Sequence, residues 1–177
     1  MTVDLRELRA WEPSDGSQAE LRDDFLRHAE RHPNPTSREC LPDHLTASAL
    51  VVSPDTTKVM LCLHRKVGLW LQFGGHIEQC DATLADAALR EAREESGLAD
   101  VQLVHPFPLQ LDRHPAPCNR RARHHLDVQF LAVVDATATP QISEESIDVR
   151  WFDVDALPMD TDDAVRRLVG ASVNRAG

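Results

Sequence analysis

Residues 74–98 of the chain read GGHIEQCDATLADAALREAREESGL, and this stretch decides the fold. It opens with two glycines, runs from Thr83 without proline or glycine, and reaches the next glycine at Gly97, a typical residue for a helix end. On a helix that turns by about 100° per residue, Glu91, Glu94 and Glu95 fall within one arc of roughly 100°. Three carboxylates are therefore predicted to point in the same direction.

Local energetics oppose this arrangement of the glutamates. Like charges three or four residues apart on a helix each cost a few tenths of a kcal/mol, and acids in the last turn face the negative end of the helix dipole. A divalent cation would offset the repulsion, and clustered carboxylates suit Mg²⁺ or Mn²⁺, which also coordinate substrate phosphates. The alternative is an ordinary solvated acidic face that pairs with Arg90 and Arg93.

The segment resembles the Nudix box, the signature of the Nudix hydrolases. Gly75 matches the opening glycine, Asp81 stands at the first acidic position, and residues 90–98 match the closing half. Two departures occur. Eight residues instead of seven separate Asp81 from Arg90, which we interpret as an insertion of Ala82 in the loop before the helix, and aspartate replaces the usual glutamate. The helix geometry should survive, whereas the role of Asp81 is brought into question.

The resemblance implies roles for the matched residues. Glu91, Glu94 and Glu95 would be metal ligands, the Gly74 carbonyl could complete a coordination shell, and Arg90 would hold the helix carboxylates in place. The expected cofactor is Mg²⁺, with Mn²⁺ as the alternative.

A further acid is expected from a loop late in the chain. Nudix hydrolases often carry one ahead of the strand that ends in tryptophan, and Glu144 and Glu145 precede Trp151 in this way. We favour Glu145. Because a diphosphate is negatively charged and repels water, bound cations neutralise it and lower the pKa of a water molecule. Glu91 or Glu145 would then take the proton or orient the water.

Four more residues are candidates for substrate binding. Arg65 and Lys66 follow a predicted strand and could grip phosphates. Trp70 could stack on a base, and His76 follows the paired glycines. Ordinary roles compete with these, namely a solvent-exposed basic strand end for Arg65 and Lys66, and a core position, the more common one, for Trp70.

The segment 112–125 is rich in histidine and arginine. We interpret it as a mobile basic loop over an anionic substrate, with a plain surface loop as the alternative. A zinc site built from His114, Cys118, His124 and His125 is not favoured, because their spacing matches no common structural pattern.

Hydrophobic patterns predict the elements around the box. Strands are expected at residues 45–53 and 58–64, joined as a hairpin, and at 101–111, 126–134 and 149–152, with a short apolar run at 70–73 and helices at 17–31, 83–96 and 160–173. The fold class is α/β with a mixed sheet, and the resemblance implies a Nudix-type alpha/beta/alpha sandwich. Residues 1–40 are expected to form an N-terminal helical extension and residues 41–177 the Nudix hydrolase domain.

Composition limits the partners and the location of the protein. The net charge of −10 argues against general binding to nucleic acid polymers or anionic membranes. No apolar run approaches the roughly 18 residues that span a bilayer, and the N-terminus mixes acids with arginines, unlike a secretory signal. We expect a cytoplasmic protein with its four cysteines as free thiols, and a homodimer is left open.

These features predict a metal-dependent hydrolase that cleaves a diphosphate linkage in a nucleoside diphosphate linked to another group. ADP-ribose-like compounds, dinucleoside polyphosphates and oxidised nucleotides all remain open as substrates. One alternative is a catalytically silent Nudix-like module that binds a nucleotide and regulates a partner, against which the three intact glutamates argue. Another is isopentenyl-diphosphate isomerase, which would need a cysteine where residues 74–76 read Gly-Gly-His.

Overall fold

The computed structural model describes residues 3–116 and 122–176. Its helices are α1 (Arg6–Ala10), α2 (Gly16–Arg31), α3 (Leu84–Ser96) and α4 (Asp163–Ala176). Its strands are β1 (Asp43–Val52), β2 (Lys58–His64), β3 (Trp70–Leu71), β4 (Phe73–His76), β5 (Gln102–Leu103), β6 (Gln110–Pro115), β7 (His124–Val133) and β8 (Ser146–Asp153). All eight strands belong to one mixed sheet.

Strand β1 is the centre of the sheet. It pairs in parallel with β7 along its whole length, from Asp43 opposite His124 to Val52 opposite Val133. Its other partners, β4 and β2, are antiparallel. Strands β5 and β6 pair with β7, while β3 and β8 pair with β2. The parallel pair brings two segments about 80 residues apart into register.

Each face of the sheet carries its own apolar core. On one face, alternate residues of β1 such as Leu45 and Ala47 pack against α3 and share one apolar cluster with Phe25 of α2. Helix α3 contributes mainly small side chains, Ala85, Ala88 and Ala92, which allow its backbone to lie close to the sheet. On the other face, the end of β1 packs with Val165, Leu168 and Val169 of α4. The mixed sandwich expected from the sequence is confirmed.

Three local features differ from the sequence expectation. The strand predicted at residues 101–111 is divided into β5 and β6, because Pro106 and Pro108 between them cannot donate ladder hydrogen bonds. Helix α1, of five residues, is too short to give a periodic pattern. Helix α2 begins at Gly16, one residue before the expected start at residue 17, because Asp15 is its N-cap and the Asp15 carboxylate accepts from the Gln18 amide at 3.0 Å.

The N-terminal extension is packed into the first core. Leu8, Trp11 and Phe25 are buried there together with residues of β1 and α3. The Gln18 side chain also pairs with the backbone of Leu111, accepting at 2.8 Å and donating at 3.1 Å. We propose that residues 1–40 fold as one unit with residues 41–177. Within the described part of the chain, none of the helices has the length and apolarity needed to cross a membrane.

A matched pair of phenylalanine substitutions tests this shared core. Phe25 of α2 is fully buried, whereas Phe107 is 40% exposed. Phe25→Ala is expected to lower the free energy of unfolding of the whole chain by about 3–5 kcal/mol, because it leaves a cavity in the common core. Phe107→Ala should cost under about 1 kcal/mol. Urea denaturation of both variants measures the difference, and equal small effects would show that the extension folds separately.

Candidate active site

The paired glycines allow strand β4 to approach both of its neighbours. A Cβ atom on Gly74 would lie 2.3 Å from the Cβ of Ser48, and one on Gly75 would lie 2.7 Å from the Glu91 Oε1 atom. Both distances are shorter than real side chains allow. A larger residue at position 74 would push β4 away from β1, and one at position 75 would displace the Glu91 carboxylate. The glycines therefore bring the backbone of β4 against the carboxylates of α3.

Both ends of α3 are fixed by local hydrogen bonds. Thr83 and Asp86 form a reciprocal capping box, with both bonds at 3.1 Å. At the other end Gly97 adopts a φ of 69°, and its amide donates to the Arg93 carbonyl at 2.9 Å. Ala82 lies before the N-cap, in the loop, so the extra residue of the box leaves the helix unchanged. The rotational positions of the glutamates are set by these two ends.

Arg90 is the central cation of the site. Its guanidinium donates two hydrogen bonds to Asp81, at 3.0 and 2.9 Å, and one each to Glu91 at 2.9 Å and Glu94 at 3.1 Å. A fifth bond, at 3.0 Å, reaches the backbone carbonyl of His76. Arg90 therefore ties the loop, the helix and strand β4 together.

The structure gives Asp81 a supporting position. Burial would raise the pKa of its carboxyl, but the hydrogen bonds from Arg90 and from the Glu78 amide, the latter at 2.7 Å, hold that pKa below its usual range. The ionised side chain is thus committed to Arg90 and to the turn. Asp81 therefore supports Arg90 and the turn, a role for which the shorter aspartate side chain is long enough.

The buried glutamates of α3 strongly favour a positive charge nearby. Burial raises the pKa of Glu95 to about 8, although the Gly74 amide donates to its carboxylate at 3.1 Å, and the charges of Glu91, Glu145 and Glu94 raise it further. Burial also raises the pKa of Glu91, against the effect of Arg90. Glu94 is mostly exposed, with 61% of its side chain accessible. The cluster carries more negative charge than Arg90 neutralises.

The loop before β8 brings Glu145 into this cluster. The negative charge of Glu145 raises the pKa of both Glu91 and Glu95, which places its carboxylate in the same electrostatic environment. The loop is held by Arg65, whose guanidinium donates to the carbonyls of Glu144 at 3.0 Å and Ser146 at 2.8 Å. The preference for Glu145 over Glu144 stays a prediction, supported by the effect of the Glu145 charge on these two pKa values.

The four residues predicted to bind substrate lie in different environments. The Arg65 guanidinium donates its hydrogen bonds to the loop carbonyls, while Lys66 is exposed just after the end of β2. Trp70 is 7% exposed and packs edge-on against Phe152 in the second core, which leaves little ring surface for stacking on a base. His76 faces another histidine across the sheet.

A polar patch next to the second core was missed in the sequence. We name it the polar face; its members are His44, Thr46 and Ser48 of β1 and His125, Asp127 and Gln129 of β7, which lie opposite one another in register. Thr46 and Ser48 donate to the buried carboxylate of Asp127, at 2.9 and 2.7 Å. The available signal was the alternation of polar and apolar residues at 44–49, which marks a strand with one polar side.

Three histidine rings of this region are neutral at pH 7. Burial lowers the pKa of His76 to about 4 and that of His125 to about 3, and it also lowers the pKa of His44. Each ring therefore keeps one nitrogen lone pair that can accept a proton or a metal ion.

The loop predicted at residues 112–125 is shorter in the structure, because both of its ends belong to strands. Residues 112–115 belong to β6 and residues 124–125 to β7, because the two strands pair up to Pro115 opposite His124. Cys118, Arg120 and Arg121 lie outside the described residues. Cys40, Cys62 and Cys80 are free thiols, as expected, and burial raises the pKa of Cys62 to about 12.

Comparison with known proteins places the chain among related sequences and folds. A sequence profile described as the NUDIX domain matches residues 42–170. A NUDIX-family hydrolase from Clostridium perfringens is 23% identical with a TM-score of 0.62, over 76% of this chain and 98% of that one. The NUDIX domain of Shewanella oneidensis NrtR, complexed with ADP ribose, is 21% identical with a TM-score of 0.61, and the match covers 88% of this chain and 98% of that one. A C. elegans Ap4A hydrolase is 16% identical with a TM-score of 0.62, and the match covers 75% of this chain and 96% of that one. A search of curated proteins finds no match.

The raised pKa of Glu95 predicts how the metal-free protein responds to pH. Folding favours the protonated carboxyl, so this contribution to stability is complete below the ordinary pKa of glutamate and is lost as the pH rises through about 8. In the presence of a chelator, the stability of Glu95→Gln should fall less than that of the wild type between about pH 5 and about pH 9. Denaturation midpoints measure this fall. Glu20→Gln, an exposed substitution on α2, is the control, and an identical fall in Glu95→Gln and wild type would contradict the assignment.

Proposed function

The chain belongs to the Nudix family, and from this premise we propose that it is a divalent-cation-dependent pyrophosphohydrolase acting on a nucleoside diphosphate linked to another group. The observation that carries the proposal is the surplus of carboxylates around Arg90. Glu91, Glu94, Glu95 and Glu145 share one environment, whereas the guanidinium of Arg90 is also occupied by Asp81. A bound cation would offset this surplus.

The donor set fits Mg²⁺ or Mn²⁺. Glu91, Glu94 and Glu95 supply hard oxygen atoms on one rigid helix, and the Gly74 carbonyl is a further candidate ligand. Glu95 is the residue that best indicates a cation site, because it is 6% exposed and forms no ion pair within the described residues. A buried carboxylate that has a backbone amide as its hydrogen-bond donor is the kind of group that a cation satisfies.

The protein's own residues would position the substrate and move a proton. A bound divalent cation neutralises phosphate charge and lowers the pKa of water. Arg90 holds Glu91 and Glu94 in place, and Glu145 would take the proton from the attacking water. We favour Glu145 over Glu91 for this step, because the Glu91 carboxylate is engaged by Arg90 at 2.9 Å. Lys66, exposed and close enough for its charge to lower the pKa of His76, is a candidate contact for a phosphate group.

The substrate class follows from the chemistry of the site and from the structural neighbours. The neighbours include a hydrolase of Ap4A and a domain complexed with ADP ribose. Both compounds contain phosphoanhydride bonds and adenosine. We propose that this chain acts on the same broad class. The intact glutamates favour hydrolysis over a silent nucleotide-binding module, because such a module has no need of a self-repelling carboxylate cluster.

A substrate panel tests the reaction directly. ADP-ribose, a dinucleoside polyphosphate and an oxidised nucleoside triphosphate, each with Mg²⁺, should include at least one compound that is cleaved at phosphorus. Products are identified by ³¹P NMR, and reaction in ¹⁸O-labelled water shows incorporation of oxygen from water into a phosphate product. Binding of these compounds without cleavage of any of them would favour the silent module.

Neutralising one glutamate at a time tests the site. Glu94→Gln and Glu95→Gln are each expected to lower kcat by about 10²–10³-fold, since each removes charge that stabilises the transition state through the cation. Their melting temperatures should be unchanged or slightly higher, because repulsion on α3 is relieved. Glu20→Gln, on an exposed face of α2, should keep full kcat. Full activity in both helix variants would contradict the proposal that the glutamates of α3 form the active site.

A further inference from the structure

Three histidines from three strands converge on and beside the polar face. The Nε2 atoms of His44 and His76 are 3.2 Å apart, and the ligand nitrogens of His44, His76 and His125 all lie within 4.8 Å of one another. Sheet register produces this cluster, since His44 lies directly opposite His125, and Thr46, two residues further along β1, lies opposite His76. We propose that His44, His76 and His125 bind a transition-metal ion of the zinc class, separately from the glutamates of α3.

The spacing of the nitrogens is close to that of a metal site. Tetrahedral zinc with nitrogen ligands at 2.0–2.1 Å requires ligand atoms about 3.3 Å from one another. The distance between His44 and His76 already meets this requirement. A hydrogen bond between two imidazoles would explain one such contact, but the ring of His125 also lies close to both, with centroids at 4.8 and 5.4 Å.

The donor types separate this site from the carboxylate cluster. Imidazole nitrogen suits zinc, iron, nickel and copper, whereas carboxylate oxygen suits magnesium and manganese. The chain therefore offers a nitrogen set on the sheet and an oxygen set on α3. His76 follows Gly75 directly, and its carbonyl accepts from Arg90, so the two sets are connected through the same strand.

A buried carboxyl group lies beside the histidines. Asp127 is 3% exposed, on the same side of β7 as His125, and accepts hydrogen bonds from Thr46, Ser48 and Gln129. Within residues 3–116 and 122–176, it forms no ion pair with a lysine or arginine. Buried carboxylates are usually paired or close to a metal ion, so Asp127 would balance the charge of a cation held by the three neutral rings.

A hydrogen-bonded chain orients one of the three ligands. Nδ1 of His125 lies 3.3 Å from Nε2 of His114, and Nδ1 of His114 lies 3.0 Å from a carboxylate oxygen of Asp112, which also binds Arg167. Metal-binding histidines commonly donate their second N–H to such a partner, which fixes the tautomer. A neutral His114 that donates from Nδ1 to Asp112 accepts at Nε2 from the Nδ1–H of His125, and Nε2 of His125 is then the nitrogen with the lone pair, as metal binding requires. Three protein ligands leave one position for water or a substrate oxygen.

Metal binding by the untagged full-length chain tests the proposal. After chelation and removal of the chelator, titration with Zn²⁺ should show binding by the three-histidine site in calorimetry, and Co²⁺ should give the visible absorption of a tetrahedral complex. His125→Gln and His76→Gln should each weaken Zn²⁺ binding by about 100-fold or more and abolish the cobalt spectrum. His114→Ala should weaken it by about 10–100-fold, since it removes only the orienting partner.

Matched controls make the outcome decisive. The exposed His105→Ala should bind Zn²⁺ as the wild type does, and so should Glu94→Gln, which alters the proposed hydrolytic site alone. His28→Ala controls for a second group with ligand geometry among the described residues, formed by His28, His32 and Cys40. The proposal is overturned if the wild type binds no Zn²⁺, if folded His125→Gln and His76→Gln both keep its affinity, or if binding is lost in His28→Ala instead. Circular dichroism confirms that each variant is folded.

Discussion

The guanidinium of Arg90 is the interaction on which the rest of the carboxylate site depends. Its five N–H donors form five hydrogen bonds, to a loop aspartate, two helix glutamates and the carbonyl of His76 in β4. A lysine at this position could not make this set, because it has three donors and lacks the planar fork. The same arginine both fixes the geometry of the acids and leaves their total charge unbalanced, so structural order and cation affinity have one origin.

Local sequence signals account for the parts of the structure that were predicted. Helix α3 and its closing Gly97 follow from about fifteen consecutive residues. The hairpin of β1 and β2 also depends on neighbouring residues. Trp70 shows the limit of such reasoning. Its residue type permits both a stacking surface and a core position, and its packing against Phe152, which is distant in sequence, places it in the core.

Features that were missed depend on contacts between distant segments. His44 and His125 are 81 residues apart and become neighbours only through the parallel pairing of β1 with β7. Asp127 accepts hydrogen bonds from Thr46 and Ser48 of β1, about 80 residues away, as well as from Gln129 of its own strand, so its full set of partners depends on a distant segment. The N-terminal extension is a similar case, because the Glu7 carboxylate accepts from the Ala85 amide at the start of α3. No local pattern links residues so far apart.

The parallel pairing of β1 with β7 also has a consequence for folding. No tight turn can join parallel strands, so this pair forms only after a long intervening segment, which includes α3, has been synthesised and closed into a loop. A nascent chain that stops before residue 124 lacks the partner for the centre of its sheet and presents an unpaired hydrophobic edge at β1. During translation this strand therefore needs protection from aggregation until β7 has been made.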